Sequence, residues 1–133
     1  MASKTPDLNV TVDDIRTARE TIKDRVRRTP LRLSPFAVPR APEGAQVYFK
    51  FENEQLTGSF KIRGALNTML SLSTEERERG VVASSAGNHA QGVAYGAKVV
   101  GAKAHIVMPE TAPIVKVNAT RSHGADVILH GDV

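Results

Sequence analysis

Val81-Val82-Ala83-Ser84-Ser85-Ala86-Gly87-Asn88-His89 decides how the rest of the chain is read. Its first four residues form a short apolar run, a length that suits a strand inside a parallel sheet. Small residues and an asparagine then break the run, and residues 88–100 predict a helix. The rhythm repeats downstream. Ala104-His-Ile-Val-Met108 predicts a strand, a helix begins near Ala112-Pro113 and runs to about His123, and Asp126-Val-Ile-Leu-His130 predicts a last strand. Pro113 suits a first helical turn, where no amide hydrogen is needed. Strand–helix alternation with short links implies an α/β fold: a parallel sheet with right-handed crossovers and helices on both faces.

Toward the N-terminus the elements are less regular. Ser73-Thr-Glu-Glu76 starts a short charged helix, and Thr57-Gly58-Ser59 leads into a helix over about residues 60–72. Val47-Tyr-Phe-Lys-Phe51 alternates as a strand. Residues 31–45, with Pro35, Pro39 and Pro42, predict an irregular arm. Thr11 can cap a helix whose first turn holds Asp13 and Asp14, whose apolar stripe is Ile15, Ala18, Ile22 and Val26, and which Thr29-Pro30 ends. This divides the chain into residues 1–45, a helix and arm suited to packing on a further large domain, and residues 46–133, a parallel α/β unit. The chain stops at Val133 where a crossover should begin, so an N-terminal portion of a longer protein is expected.

Composition narrows the function. In 133 residues, 41% hydrophobic and 24% charged, there is material for one core and not two. No apolar run reaches the roughly 20 residues that span a bilayer, and Met1–Val10 lacks the apolar core of a signal peptide. Without cysteine there is no disulfide framework or thiolate site, which makes the cytoplasm the expected location. The formal charge of +4 raises nucleic acid as a partner. The basic residues, densest over residues 23–32, are interleaved with acids and not with aromatics, so they predict a solvated face, with no nucleic acid and no membrane bound.

Two loops carry unusual chemistry at the carboxyl side of strands, where α/β sheets place ligands. One runs from Glu52 to Ala65 and holds Lys61; the other runs from Ser84 to Gly92 and holds Asn88. A lysine at a helix start opposes the positive end of the helix dipole, a placement that favours its neutralised form, as in a Schiff base. Successive small residues before a helix offer backbone amides to a carboxylate or phosphate. Taken singly, an exposed first-turn lysine and an ordinary helix cap account for the same residues.

Together the loops are more specific. Ser59-Phe-Lys-Ile-Arg-Gly-Ala65 resembles the lysine motif of the fold-type II pyridoxal-phosphate enzymes, in the threonine dehydratase and serine racemase branch. Ser85-Ala-Gly-Asn-His-Ala-Gln-Gly92 resembles the asparagine loop of that branch, and Lys50-Phe-Glu-Asn53 and Ile106-Val-Met-Pro109 fit as well. The resemblance implies a tryptophan synthase β-like fold, incomplete in this chain, with pyridoxal 5′-phosphate as cofactor. It implies that Lys61 carries the cofactor as a Schiff base and then acts as base on the substrate's α-proton. Phe60 packs beside the cofactor ring and Asn88 bonds its 3′-oxygen, while Ser85, Ala86, Gly87, Asn88 and His89 form the loop that receives the substrate carboxylate. The substrate is a small amino acid, L-threonine or L-serine, converted to a 2-oxo acid and ammonia within amino-acid metabolism, isoleucine biosynthesis included. The complete protein is expected to be a homo-oligomer.

Two departures from the family pattern matter. The family's glycine-rich phosphate loop, the residue facing the pyridine nitrogen and its metal-binding carboxylates lie downstream, so no metal site is assigned and the isolated chain is expected to be catalytically silent. Ala86 stands where serine racemases typically carry a serine serving the opposite face of the substrate, which favours dehydration over racemisation. A racemase and a non-catalytic fragment stay open as alternatives.

Overall fold

Thr11 opens the first helix by a reciprocal cap. Its hydroxyl accepts from the Asp14 amide while the Asp14 carboxylate accepts from the Thr11 amide, satisfying two amides that a helix start leaves orphaned. The helix, α1 (Val12–Ile22), stops short of the expected end at Thr29. Of the expected stripe only Ile22 is buried, and the Arg27 amide is drawn out of helical pairing by the Gln55 side chain. This computed structural model describes residues 9–36, 42 and 44–132.

Within the segment expected to be an irregular arm lies a short strand, β1 (Leu31–Leu33). It pairs antiparallel with β2 (Tyr48–Lys50), Leu31 opposite Lys50 and Leu33 opposite Tyr48. Residues 37–41 and 43 of that arm lie outside the described residues. The strand expected at Val47–Phe51 therefore exists, but it belongs to this two-stranded ribbon and not to the parallel sheet.

After a single 3₁₀ turn at Glu52–Glu54 come α2 (Lys61–Ser71), α3 (Thr74–Arg79), β3 (Val81–Ser84), α4 (Asn88–Val100), β4 (Ala104–Met108), α5 (Ile114–Ser122) and β5 (Asp126–Leu129). Strands β3, β4 and β5 form the expected parallel sheet with β4 in the middle, Ala83 opposite Ile106 and Ile106 opposite Val127. Alternation then sorts the side chains: Ala104, Ile106 and Met108 of β4 and Val127 of β5 are buried with Ala90, Val93, Ala94 and Ala97 of α4 and Val117 of α5. Full burial of a side chain such as Ile106 or Val117 contributes roughly 1.5–3 kcal/mol. The opposite face, carrying Val82 (75% exposed) and Ile128 (44% exposed), is open to solvent. Among the described residues, the expected helical cover is thus present on one face. No helix among them is long and apolar enough to cross a membrane.

Helix α2 packs on α4 through glycines. A Cβ on Gly92 would stand 3.2 Å from the Lys61 carbonyl oxygen and 3.3 Å from the Ile62 amide nitrogen. One turn on, a Cβ on Gly96 would stand 2.9 Å from Met69 Cγ. Gly92 thus faces the start of α2 and Gly96 a later turn, so the two helices run in the same sense. Their N-termini, which bear Lys61 and Asn88, come to the same end of the molecule.

Candidate active site

The loop before α2 is held from several sides. Gln55, buried, accepts from the amides of Arg27 and Leu56 and donates to the Arg27 carbonyl, at 2.9, 3.0 and 2.9 Å. Gly58 then turns the chain at φ +69°, a conformation that side chains with a Cβ rarely adopt. Arg63, in the first turn of α2, makes two 2.8 Å bonds to the Glu52 carboxylate and a third, of 3.1 Å, to the Arg27 carbonyl. Thr29 also donates to Glu52, and Lys50 Nζ donates to the Thr29 carbonyl at 2.7 Å. The Arg63 guanidinium is the main reason that the Glu52 carboxyl sits below its ordinary pKa of 4.5, with the Thr29 bond adding to it against desolvation. Such a bidentate, partly buried pair fixes geometry far better than an exposed one.

Lys61 is the first residue of α2, and no side chain caps that helix. The Lys61 amide donates to Ser59 Oγ at 3.4 Å, and its ammonium lies 5.3 Å from the centre of the Phe60 ring. The ammonium has no carboxylate partner among the described residues. Lys61 lines an open cleft of about 530 Å³ together with Ala65, Met69, Val81, Ala83 and Val93 and with Phe60 and His89.

The second loop begins as a continuation of the sheet, the Ser85 amide donating to the Val107 carbonyl at 3.0 Å. Ser85 Oγ accepts from the Gly87 amide at 3.2 Å, turning the chain into α4, whose start also has no side-chain cap. Ser85, Ala86 and Gly87 are half-buried; Asn88 and His89, the first two residues of the helix, are exposed. Asn88 Oδ1 accepts from Lys116 Nζ of α5 at 3.2 Å. Among the expected site residues the cleft gathers Phe60, Lys61 and His89, whereas Ser85, Ala86, Gly87 and Asn88 form the neighbouring turn and do not line it. Reading the sequence missed Lys116. The signal that singled out Lys61, a lysine in the first turn of a helix, was present for it too. Also missed was the Glu52–Arg63 pair, although both residues lie in motifs that carry the family resemblance. Among the described residues no group of His, Cys, Asp and Glu could hold a metal ion.

The family model described as "Pyridoxal-phosphate dependent enzyme" matches residues 22–133. The chain belongs to that family. The L-threonine ammonia-lyase of Thermotoga maritima is 53% identical over 93% of this chain and 30% of its own length. Among solved structures, serine racemase from Dictyostelium discoideum superposes with a TM-score of 0.81 at 40% identity, over 93% of this chain and 40% of that one. The processed form of threonine deaminase isoform 2 from Solanum lycopersicum superposes with a TM-score of 0.76 at 40% identity, over 93% of this chain and 37% of that one. The chain spans about a third of the length of the curated relatives it matches, 30% and 35% for two of them.

The residues present fit the cofactor of this pyridoxal-phosphate dependent family. The Lys61 amine, without a carboxylate partner among the described residues and on a residue that lines an apolar-walled cleft, is available to a carbonyl group. The walls suit the flat face of a pyridine ring, with Phe60 beside it. At the start of α4 the Asn88 amide nitrogen is left to donate, because Lys116 occupies its oxygen.

Proposed function

We propose that this chain is the lysine- and asparagine-bearing portion of a pyridoxal-phosphate dependent ammonia-lyase that converts L-threonine, or L-serine, to a 2-oxo acid and ammonia. The observation that carries the reading is the Lys61 amine, without a carboxylate partner among the described residues, on the first residue of α2 and beside the apolar cleft. The 53% identity to an L-threonine ammonia-lyase supports the choice of reaction. When bound, the cofactor supplies the electron sink for a carbanion at the substrate's α-carbon. Nζ of Lys61 binds the cofactor and afterwards takes the α-proton. Phe60 flanks the ring, the Asn88 amide donates to the 3′-oxygen, and Ser85, Ala86, Gly87 and His89 with Asn88 receive the substrate carboxylate. Residues 1–45 pack on the large domain of the complete protein, and residues 46–133 form the unit carrying both loops. The same reading carries a cytoplasmic location, a homo-oligomeric state and, for the threonine reaction, a place in isoleucine biosynthesis.

Racemisation is the second reading, favoured by the superposition on serine racemase. It requires an acid or base on the face opposite Lys61, and at the matching position Ala86 offers a methyl group, which moves no proton. One experiment separates the two. The full-length protein, loaded with cofactor and given L-threonine or L-serine, should release the 2-oxo acid with little D-isomer on chiral chromatography. Ala86→Ser should raise D-serine relative to elimination, weakly, since one hydroxyl does not build an acid site. Abundant D-serine from the unaltered protein would promote the racemase reading.

A further inference from the structure

Lys116 occupies a position that helix energetics disfavour. It lies in the first turn of α5, which carries no acidic residue to offset the dipole. Its side-chain partner is Asn88 Oδ1, at 3.2 Å, on a helix that starts from the neighbouring strand of the sheet. An ammonium has only donors, so the oxygen of Asn88 and not its nitrogen must face Lys116. An asparagine amide is planar, so its NH₂ group is turned away from Lys116. An amide without such a partner presents oxygen and nitrogen about equally well, and half of its orientations would aim an acceptor at an anionic ligand atom.

We propose that Lys116 is a positioning residue: by holding Asn88 Oδ1 it presents the Asn88 amide nitrogen as a fixed donor to the cofactor's 3′-oxygen. The inference rests on the assignment of Asn88 to that oxygen. Beyond orientation, the ammonium draws electron density from the amide and strengthens the N–H group as a donor. Lys116 touches no reacting atom in this arrangement and acts only through Asn88.

The experiment uses the full-length apoprotein and titrates pyridoxal phosphate by its visible absorption, which reads cofactor binding without turnover. Lys116→Met should weaken binding roughly three- to tenfold, the worth of one polar contact. Lys116→Arg, which keeps a donor, should recover most of that loss, and Lys98→Met on α4 should leave binding unchanged. The deciding measurement is the double variant. If Lys116 acts through Asn88, Lys116→Met adds nothing in an Asn88→Ala background, so Asn88→Ala and the pair bind alike. A further weakening in the pair would mean that Lys116 meets the ligand itself, and would overturn the inference while sparing the role of Asn88. Wild-type affinity in Lys116→Met would overturn it equally. Unaltered affinity in Asn88→Ala alone would overturn the Asn88 assignment, and this inference with it.

Discussion

The helices of this chain start in two different ways. Helices α1 and α3 begin with capping boxes, Thr11 with Asp14 and Ser73 with Glu76, and both carry two acids in the first turn. Helices α2, α4 and α5 have neither a side-chain cap nor a first-turn acid, and two of them carry a first-turn lysine. The first pair satisfies its own amides and neutralises its own dipole, which is what isolated stability asks of a helix. The other three carry no such acid of their own, α2 being met from outside by Glu52 through Arg63, and theirs are the starts that bear Lys61, Asn88 and Lys116. Local rules are obeyed at α1 and α3 and broken at the three helix starts to which the proposed function and the inference about Lys116 assign a role.

The largest effect expected from breaking the contrast is at Lys61. In the full-length protein, borohydride reduction and peptide mapping should find the cofactor on Lys61, and label on Lys50 or Lys98 would refute the assignment. Lys61→Ala should lower turnover by roughly 10²–10⁴-fold through the lost proton transfer alone.

Next comes the contact that aligns two of the open helix starts. Gly92→Ala pushes a methyl group against backbone atoms of Lys61 and Ile62 that cannot give way singly, and should cost about 1–3 kcal/mol in urea unfolding. It should also weaken cofactor binding, because the displaced atoms belong to Lys61 itself. Gly96→Ala meets Cγ of the buried Met69 at 2.9 Å and should also lower stability, but it presses on no atom of Lys61, so its effect on cofactor binding should be the smaller of the two.

Ser73→Ala sharpens the comparison from the other side. Losing the α3 cap should cost about 1 kcal/mol of stability and leave cofactor affinity untouched. An effect on affinity as large as that of Gly92→Ala would erase the distinction between the two kinds of helix start.

The smallest effect concerns the acid lent to α2 from outside. The folded-state pKa of Glu52 lies below its ordinary 4.5, chiefly through Arg63. The unfolded chain therefore binds a proton first as pH falls, and stability present above pH 4.5 is lost as pH drops through the lower folded value. Unfolding midpoints followed downward from neutral pH should fall more steeply for the parent than for Glu52→Gln.

How much of this was legible follows the range of the interactions. The boundaries of β3, α4, β4 and β5 were readable because strand and helix periods are local and the links between them are short. Strand β1 was not, because prolines crowd its surroundings and both strands of its ribbon are exposed, leaving no burial pattern to read. Val26 was assigned to α1 on periodicity, but the Gln55 side chain holds the Arg27 amide from 28 residues away. In the site, Lys61 and Asn88 stood out as motif residues. The bond between Lys116 and Asn88 also crosses 28 residues of sequence and forms only once the sheet brings β3 and β4 side by side.

The glycine contact between α2 and α4 has a consequence for how this protein can change over generations. Both glycines bring main-chain atoms of α2 close: Lys61 and Ile62 at Gly92, and the Ala65 carbonyl and Leu66 Cα, with the Met69 side chain, at Gly96. An apolar side chain of α2 exchanged for another of similar volume leaves those main-chain contacts in place, whereas a side chain at either glycine pushes on the helix that carries Lys61. A lineage could thus exchange interior side chains of matched volume before Lys61 moved out of line, but it could not fill either glycine as freely.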